Sequence, residues 1–155
     1  MLKILFVCHG NICRSPMAEF LCRDRLEKMG RTDVEVASAA TSYEEIGNPV
    51  HPGTRRVLAG ENIDTRGKVA RRMTSADYDV YDWIVAMDSE NLRNIKRIAG
   101  GDPQHKVRLL LDFASRSGES IADPWYTGNF EETYDDICDG LEGMFEHLGS
   151  RPVKK

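Results

Sequence analysis

No stretch of this chain is apolar enough to cross a bilayer: its apolar runs, such as residues 4–7 and 109–111, are a fraction of the roughly 20 residues a membrane helix needs. Positive charge is not in excess either, since 21 Lys and Arg face 25 Asp and Glu for a net charge of −4. That excludes the basic face that tracks a nucleic-acid backbone, so any anion must be gripped locally. Cysteine is sparse. Cys8, Cys13, Cys22 and Cys138 contain no Cys-x-x-Cys pair, and His9, His51, His105 and His147 lack the paired spacing of a zinc site, so neither metal nor cofactor is expected. The N-terminus has no secretory h-region or small-residue cleavage site. These absences lead to the expectation of a cytoplasmic protein with reduced thiols, without membrane or nucleic-acid partners, and monomeric or at most a weak homodimer. With 155 residues, the expectation is one domain spanning 1–155.

What is present is an alternation of β-forming runs with helical periodicity, the pattern of a parallel sheet with helices on both faces. A first strand fits residues 2–7 and stops at a glycine-containing loop. Ser15 followed by Pro16 then predicts a helix cap with proline at the first helical position, and Met17, Phe20, Leu21 and Leu26 share one face up to Gly30. Further strands fit residues 34–39, 83–87 and 107–111. Helices fit residues 54–59, a segment capped by Asp88 or Ser89 that stops at Gly100, and a last segment presenting Tyr134, Ile137, Leu141, Phe145 and Leu148 on one side. The fold class expected is α/β, with four parallel strands in a Rossmann-like three-layer sandwich.

In such folds ligands collect at the carboxyl ends of strands. The first such loop reads Cys8, His9, Gly10, Asn11, Ile12, Cys13, Arg14, Ser15. A Cys-x5-Arg pair is weak by spacing alone, but here it lies between a strand end and a helix start. Five residues in that setting can curl so that successive N–H groups point inward, an anion nest reinforced by the helix terminus. Arg14 adds a bidentate fork for two phosphate oxygens. The same positive field favours a thiolate at Cys8, and the Ser15 hydroxyl can donate to that sulfur. A thiolate attacking a phosphomonoester needs a proton donor for the departing oxygen. Asp123 is the candidate: Pro124 stiffens it, and Trp125 and Tyr126 are expected to withdraw it from water.

The chain resembles the low molecular weight protein-tyrosine phosphatases. The residues that carry the resemblance are Val7 to Ser15 with Met17, Ala18 and Glu19, then Ser38 to Thr41, Ile46 to Pro49, Val69 to Arg71, Met87 to Leu92, and Asp123 to Tyr126, in the family's order. The resemblance implies a phosphotyrosine phosphatase I-like sandwich, Cys8 as nucleophile, Arg14 as transition-state clamp and Asp123 as general acid. It also implies that Asn11, Ser15 and Ser38 brace the loop, and that phosphotyrosine proteins, phosphate and oxyanion inhibitors are the ligands. One departure is Lys68, which stands where many relatives have histidine. Tyr43, Trp125 and Tyr126 are the expected slot walls, with Ile12 offering an apolar contact. Cys13 is a candidate redox partner for Cys8. Two alternatives share the fold. Arsenate reductases resemble this chain plus a downstream pair of resolving cysteines, absent between Cys22 and Cys138, and arginine phosphatases usually carry threonine where this chain has Ile12.

Overall fold

The computed structural model describes residues 1–149; residues 150–155 of the expected domain lie outside them. Four strands, β1 (Leu2–Cys8), β2 (Val34–Ala40), β3 (Trp83–Ala86) and β4 (Val107–Leu109), form one parallel sheet in the order β2-β1-β3-β4. Strand β1 is paired on both sides and is buried from Ile4 to Cys8. Its alternation sends successive side chains to opposite faces. Ile4, Phe6 and Cys8 join one cluster with Met17, Leu21, Ile137 and Leu141, from helices α1 (Arg14–Lys28) and α6 (Phe130–Gly149). Leu5 and Val7 join the other, with Tyr78 from α3 (Ser75–Val80) and Ile95 from α4 (Ser89–Ala99). The expected three layers are therefore present. Helix α2 (Pro52–Ala59) lies on the α1 side, and α5 is a single turn, Pro124–Thr127.

Three local expectations are corrected. Helix α1 begins at Arg14, with Cys13 in the cap position and no side-chain cap, because the Ser15 hydroxyl is turned inward to Cys8. Strand β4 ends at Leu109 and runs into a 3-10 turn, Leu110–Ala114: β3 stops at Ala86, so residues 110 and 111 have no strand to pair with. Helix α3 is absent from the sequence reading because six residues are too short to show a period. The Asp77 carboxylate accepts from the Thr74 N–H at 2.8 Å and fixes its start.

Chain direction changes sides of the sheet at β1, which sends β2 one way and β3 and β4 the other. The carboxyl ends of β1 and β3 thus flank the crevice where ligands of such sheets bind. The Cys8–Arg14 loop opens there, with Asp88 beyond β3 and Asp123 beyond β4 beside it.

Candidate active site

The loop after β1 curls round its own sulfur. Cys8 Sγ accepts from the N–H groups of Asn11 at 3.3 Å and Ser15 at 3.4 Å, and lies 3.0 Å from Ser15 Oγ. The curl requires a left-handed residue, supplied by Asn11 at φ 60°. Its side chain repairs the cost. Asn11 Nδ2 donates to Ser15 Oγ at 2.8 Å and to Ser38 Oγ at 2.9 Å, while its Oδ1 accepts from Arg71 N–H at 3.1 Å. The Ser38 hydroxyl in turn donates to Glu19 Oε1 at 2.5 Å, while the Ser15 hydroxyl has both Cys8 Sγ, at 3.0 Å, and Ala39 O, at 3.5 Å, within reach. Behind the loop the buried Glu19 also accepts from Arg23 at 2.6 Å, and Lys68 Nζ lies 3.5 Å from it while donating to Ser38 O at 3.2 Å. Lys68 therefore backs the bracing network with an ammonium. Burial holds the proton affinity of that amine below the ordinary lysine value, against the attraction of Glu19.

Arg14 is only 2 % exposed, so it is no surface charge. Nη1 donates to Asp88 Oδ2 at 2.7 Å and to Ile121 O at 2.9 Å; Nη2 lies 3.4 Å from Asp123 Oδ2. Burial opposes its charge, but Cys8, Asp88 and Asp123 outweigh burial and raise its already high pKa. Its Nε is buried and has no hydrogen-bond partner among the described residues. A buried donor left unmade is costly, and an oxyanion seated on the loop would satisfy it.

A small cavity of about 80 Å³ is lined by Cys8, Gly10, Ile12, Cys13 and Arg14 of the loop and by Asp123, Trp125 and Tyr126. A larger hollow, of about 700 Å³ between Arg108, Phe113 and His147, is lined by no thiol. The small cavity has the chemistry of phosphoryl transfer to sulfur: a nucleophilic atom, inward donors, a fixed cation and a carboxyl at the mouth.

The family model of low molecular weight phosphotyrosine protein phosphatase matches residues 3–154. The chain belongs to that family. YfkJ of Bacillus subtilis, a low molecular weight protein-tyrosine-phosphatase, is 42% identical over 150 residues, 96% of each chain. PtpA of Staphylococcus aureus, described in the same words, is 38% identical over 96% of this chain and 94% of its own. The crystal structure of YfkJ superimposes with a TM-score of 0.93 at 39% identity, covering 99% of this chain and 98% of that one. A Drosophila arginine phosphatase has the same fold at TM-score 0.86 and 28% identity, over 94% and 97% of the two chains.

Within this member of the family, contacts link Cys8, Asn11, Ser15 and Ser38, and others link Arg14 to Asp123. Tyr43 does not line the cavity. It is 69 % exposed with its ring 4.2 Å from the Arg72 guanidinium, and the cavity is lined instead by its neighbours Glu44 and Glu45. Glu44 lies 2.9 Å from His9 Nε2 at the rim. Trp125 and Tyr126 do line the cavity, but at 57 % and 82 % exposure they do not enclose Asp123. The Trp125 N–H, at 3.0 Å from Asp123 Oδ1, and Arg14 hold that carboxyl instead. Cys13 is a buried residue of the loop, and burial, with the charges of Cys8 and Asp123, pushes its thiol up to about 12. The residues that sequence reasoning missed are Asp88, Glu44 and Glu45. Asp88 was read as a helix cap, within the stretch Met87 to Leu92 that carries the resemblance, but not as part of the site; its place directly after β3, beside β1, was the signal.

Proposed function

We propose that this protein hydrolyses phosphotyrosine in proteins, and small aryl phosphates, through a phosphocysteine intermediate. The observation that carries the reading is a loop whose Asn11 and Ser15 amides converge on Cys8 Sγ beside the buried guanidinium of Arg14, whose Nε has no partner among the described residues. The thiolate of Cys8 attacks phosphorus in line while the bond to the phenolic oxygen breaks, and Asp123 gives that oxygen its proton. Asp123, now ionised, takes a proton from water. The resulting nucleophile attacks phosphorus, the S–P bond breaks, and Cys8 leaves as a thiolate stabilised by the Ser15 hydroxyl, with inorganic phosphate released. Charge on the equatorial oxygens is met by loop amides and Arg14 with little rearrangement. No metal takes part. Asn11, Ser38, Glu19 and Lys68 hold the loop, while Ile12, Trp125 and Tyr126 flank the ring. Glu44 and Glu45 set a preference for basic residues beside the phosphotyrosine.

An arginine phosphatase is the second reading, and the acidic rim is the observation that favours it, since the guanidinium part of a phosphoarginine keeps a positive charge beside the phosphoryl group. The apolar Ile12 in the wall weighs toward the aryl ester. Cytoplasmic location, a monomeric or weakly dimeric state, and a slow protective disulfide between Cys8 and Cys13 complete the proposal.

Purified protein is expected to hydrolyse p-nitrophenyl phosphate, to be inhibited by vanadate, and to keep its activity in a chelator. Cys8→Ser and Arg14→Ala abolish turnover, and Asp123→Ala slows it by roughly two to four orders of magnitude. Phosphotyrosine peptides should be turned over faster than phosphoarginine peptides. Near-normal hydrolysis by the Cys8→Ser protein ends the assignment, and the reverse peptide ranking replaces it with the second reading.

A further inference from the structure

One residue belongs to neither the phosphate loop nor the acid-bearing turn and contacts both, the loop through its backbone and the turn through its ring. The backbone N–H of His51, just before α2, donates to Ile12 O in the loop at 2.8 Å. Its Nδ1 accepts from the Gly53 N–H at 2.9 Å, which fixes the ring and leaves the proton on Nε2. The ring stacks on Phe130, the first residue of α6, with centroids 5.0 Å apart and planes at 22°. It also meets the indole of Trp125 edge-on, at 5.7 Å and 80°. Trp125 lines the cavity and follows Asp123 by two residues in α5's first turn.

Two neighbours show how closely this joint is fitted. A Cβ at residue 53 would come within 2.5 Å of the Phe130 ring, so glycine is what lets α2 approach it. Thr54 is fully buried and donates Oγ1 to Cys13 O at 3.1 Å, so the start of α2 is tied to two successive carbonyls of the phosphate loop. A helix cap by itself needs only an acceptor, which serine, aspartate or asparagine supplies at least as well. The imidazole adds what those lack, a ring between two other rings.

We propose that His51 is a positioning residue that seats Trp125, and through α5 the carboxyl of Asp123, over the phosphate loop. Its kinetic consequence rests on the phosphatase reading of the same cavity; its structural consequence does not. Trp83→Phe leaves Trp125 as the one tryptophan. In that background, His51→Asn keeps the cap acceptor and removes the ring, and acrylamide quenching of Trp125 fluorescence should increase. Unchanged quenching overturns the proposal, whether or not the protein proves to be a phosphatase. In the parent background, His51→Asn should raise KM for p-nitrophenyl phosphate about three- to ten-fold, the worth of one edge-to-face aromatic pair, with a near-parental unfolding midpoint. His51→Phe, which keeps a ring but not the acceptor, should do the opposite: a lowered midpoint and a KM close to the parent's. If KM follows the unfolding midpoint in both variants, His51 is only a cap and the proposal falls.

Discussion

Asp88 gives one oxygen to Arg14 and the other to the first turn of α4, where Oδ1 accepts from Asn91 N–H at 2.7 Å. Asparagine would keep the second task and weaken the first. Asp88→Asn should therefore leave the unfolding midpoint nearly unchanged while lowering kcat/KM for an aryl phosphate by about ten- to a hundred-fold, since a misaligned clamp loses transition-state contact. Parental kinetics in this variant would mean that Ile121 O and Asp123 suffice to aim the guanidinium. At the same scale, the thiol of Cys13, pushed up to about 12, limits any rescue of an oxidised Cys8. Disulfide closure needs the Cys13 thiolate to displace hydroxide from a Cys8 sulfenic acid, and below its pKa that thiolate grows ten-fold per pH unit. Closure after a peroxide pulse, read by mass spectrometry of alkylated samples, should accelerate about ten-fold per unit between pH 7 and 9. A rate flat in pH would rule this chemistry out. Cys8, Asn11 and Arg14 were legible as residues because their work is done within one loop of seven positions. Asp88 was not, because its partner is 74 residues away and only the sheet order brings them together.

Helix α6 meets the 3-10 turn Leu110–Ala114 across two glycines, three positions apart on one face. A Cβ at Gly143 would lie 1.9 Å from the Phe113 carbonyl oxygen; one at Gly140 would lie 2.5 Å from Leu110 Cγ. Helix propensity alone favours alanine over glycine by about 1 kcal/mol, so the sign of each substitution is decided by what must move. Backbone at 113 cannot turn aside, and Gly143→Ala should destabilise the protein by about 3 kcal/mol. Leu110 can shift its side chain, and Gly140→Ala should cost about 1–2 kcal/mol. Urea unfolding of both variants measures the ranking, and a more stable Gly143→Ala protein would contradict the close approach. This contact explains what the sequence concealed. The apolar residues 110 and 111 read as a continuing strand, yet they are buried against a helix that only its glycines allow so near. Strand β1 was legible but for its last residue, because its buried stretch from Ile4 onward carries an unbroken apolar signal. Ser15 misled for the reverse reason: its side chain is worth more to the sulfur of Cys8 than to the helix it seemed to cap.

Across the whole molecule the charge count gives a net −4, but not where charges meet. Arg25 of α1 pairs with Asp24 and with Glu61 beyond α2, each at 2.8 Å, Lys28 adds a contact to Asp24 at 3.0 Å, and the Tyr134 hydroxyl of α6 donates to Glu61. This one group joins α1 and α6 to the loop that follows α2. Burial raises the carboxyls of Asp24 and Glu61, but hydrogen bonds from Lys28 and Arg25, and from Tyr134 and Arg25, outweigh it and leave both below the ordinary values. A carboxyl depressed in the folded state stabilises it above the unfolded pKa, near 4, and loses that contribution as pH falls through the folded value. The urea midpoint should thus be insensitive to this network between pH 6 and 8 and decline below about pH 4. Glu61→Gln should cost about 1 kcal/mol or less at pH 7, the scale of partly exposed pairs, and should lose less than the parent between pH 7 and pH 3. If the two proteins lose equally over that range, the acid sensitivity arises elsewhere, and the pairs between α1 and Glu61 contribute geometry without measurable stability.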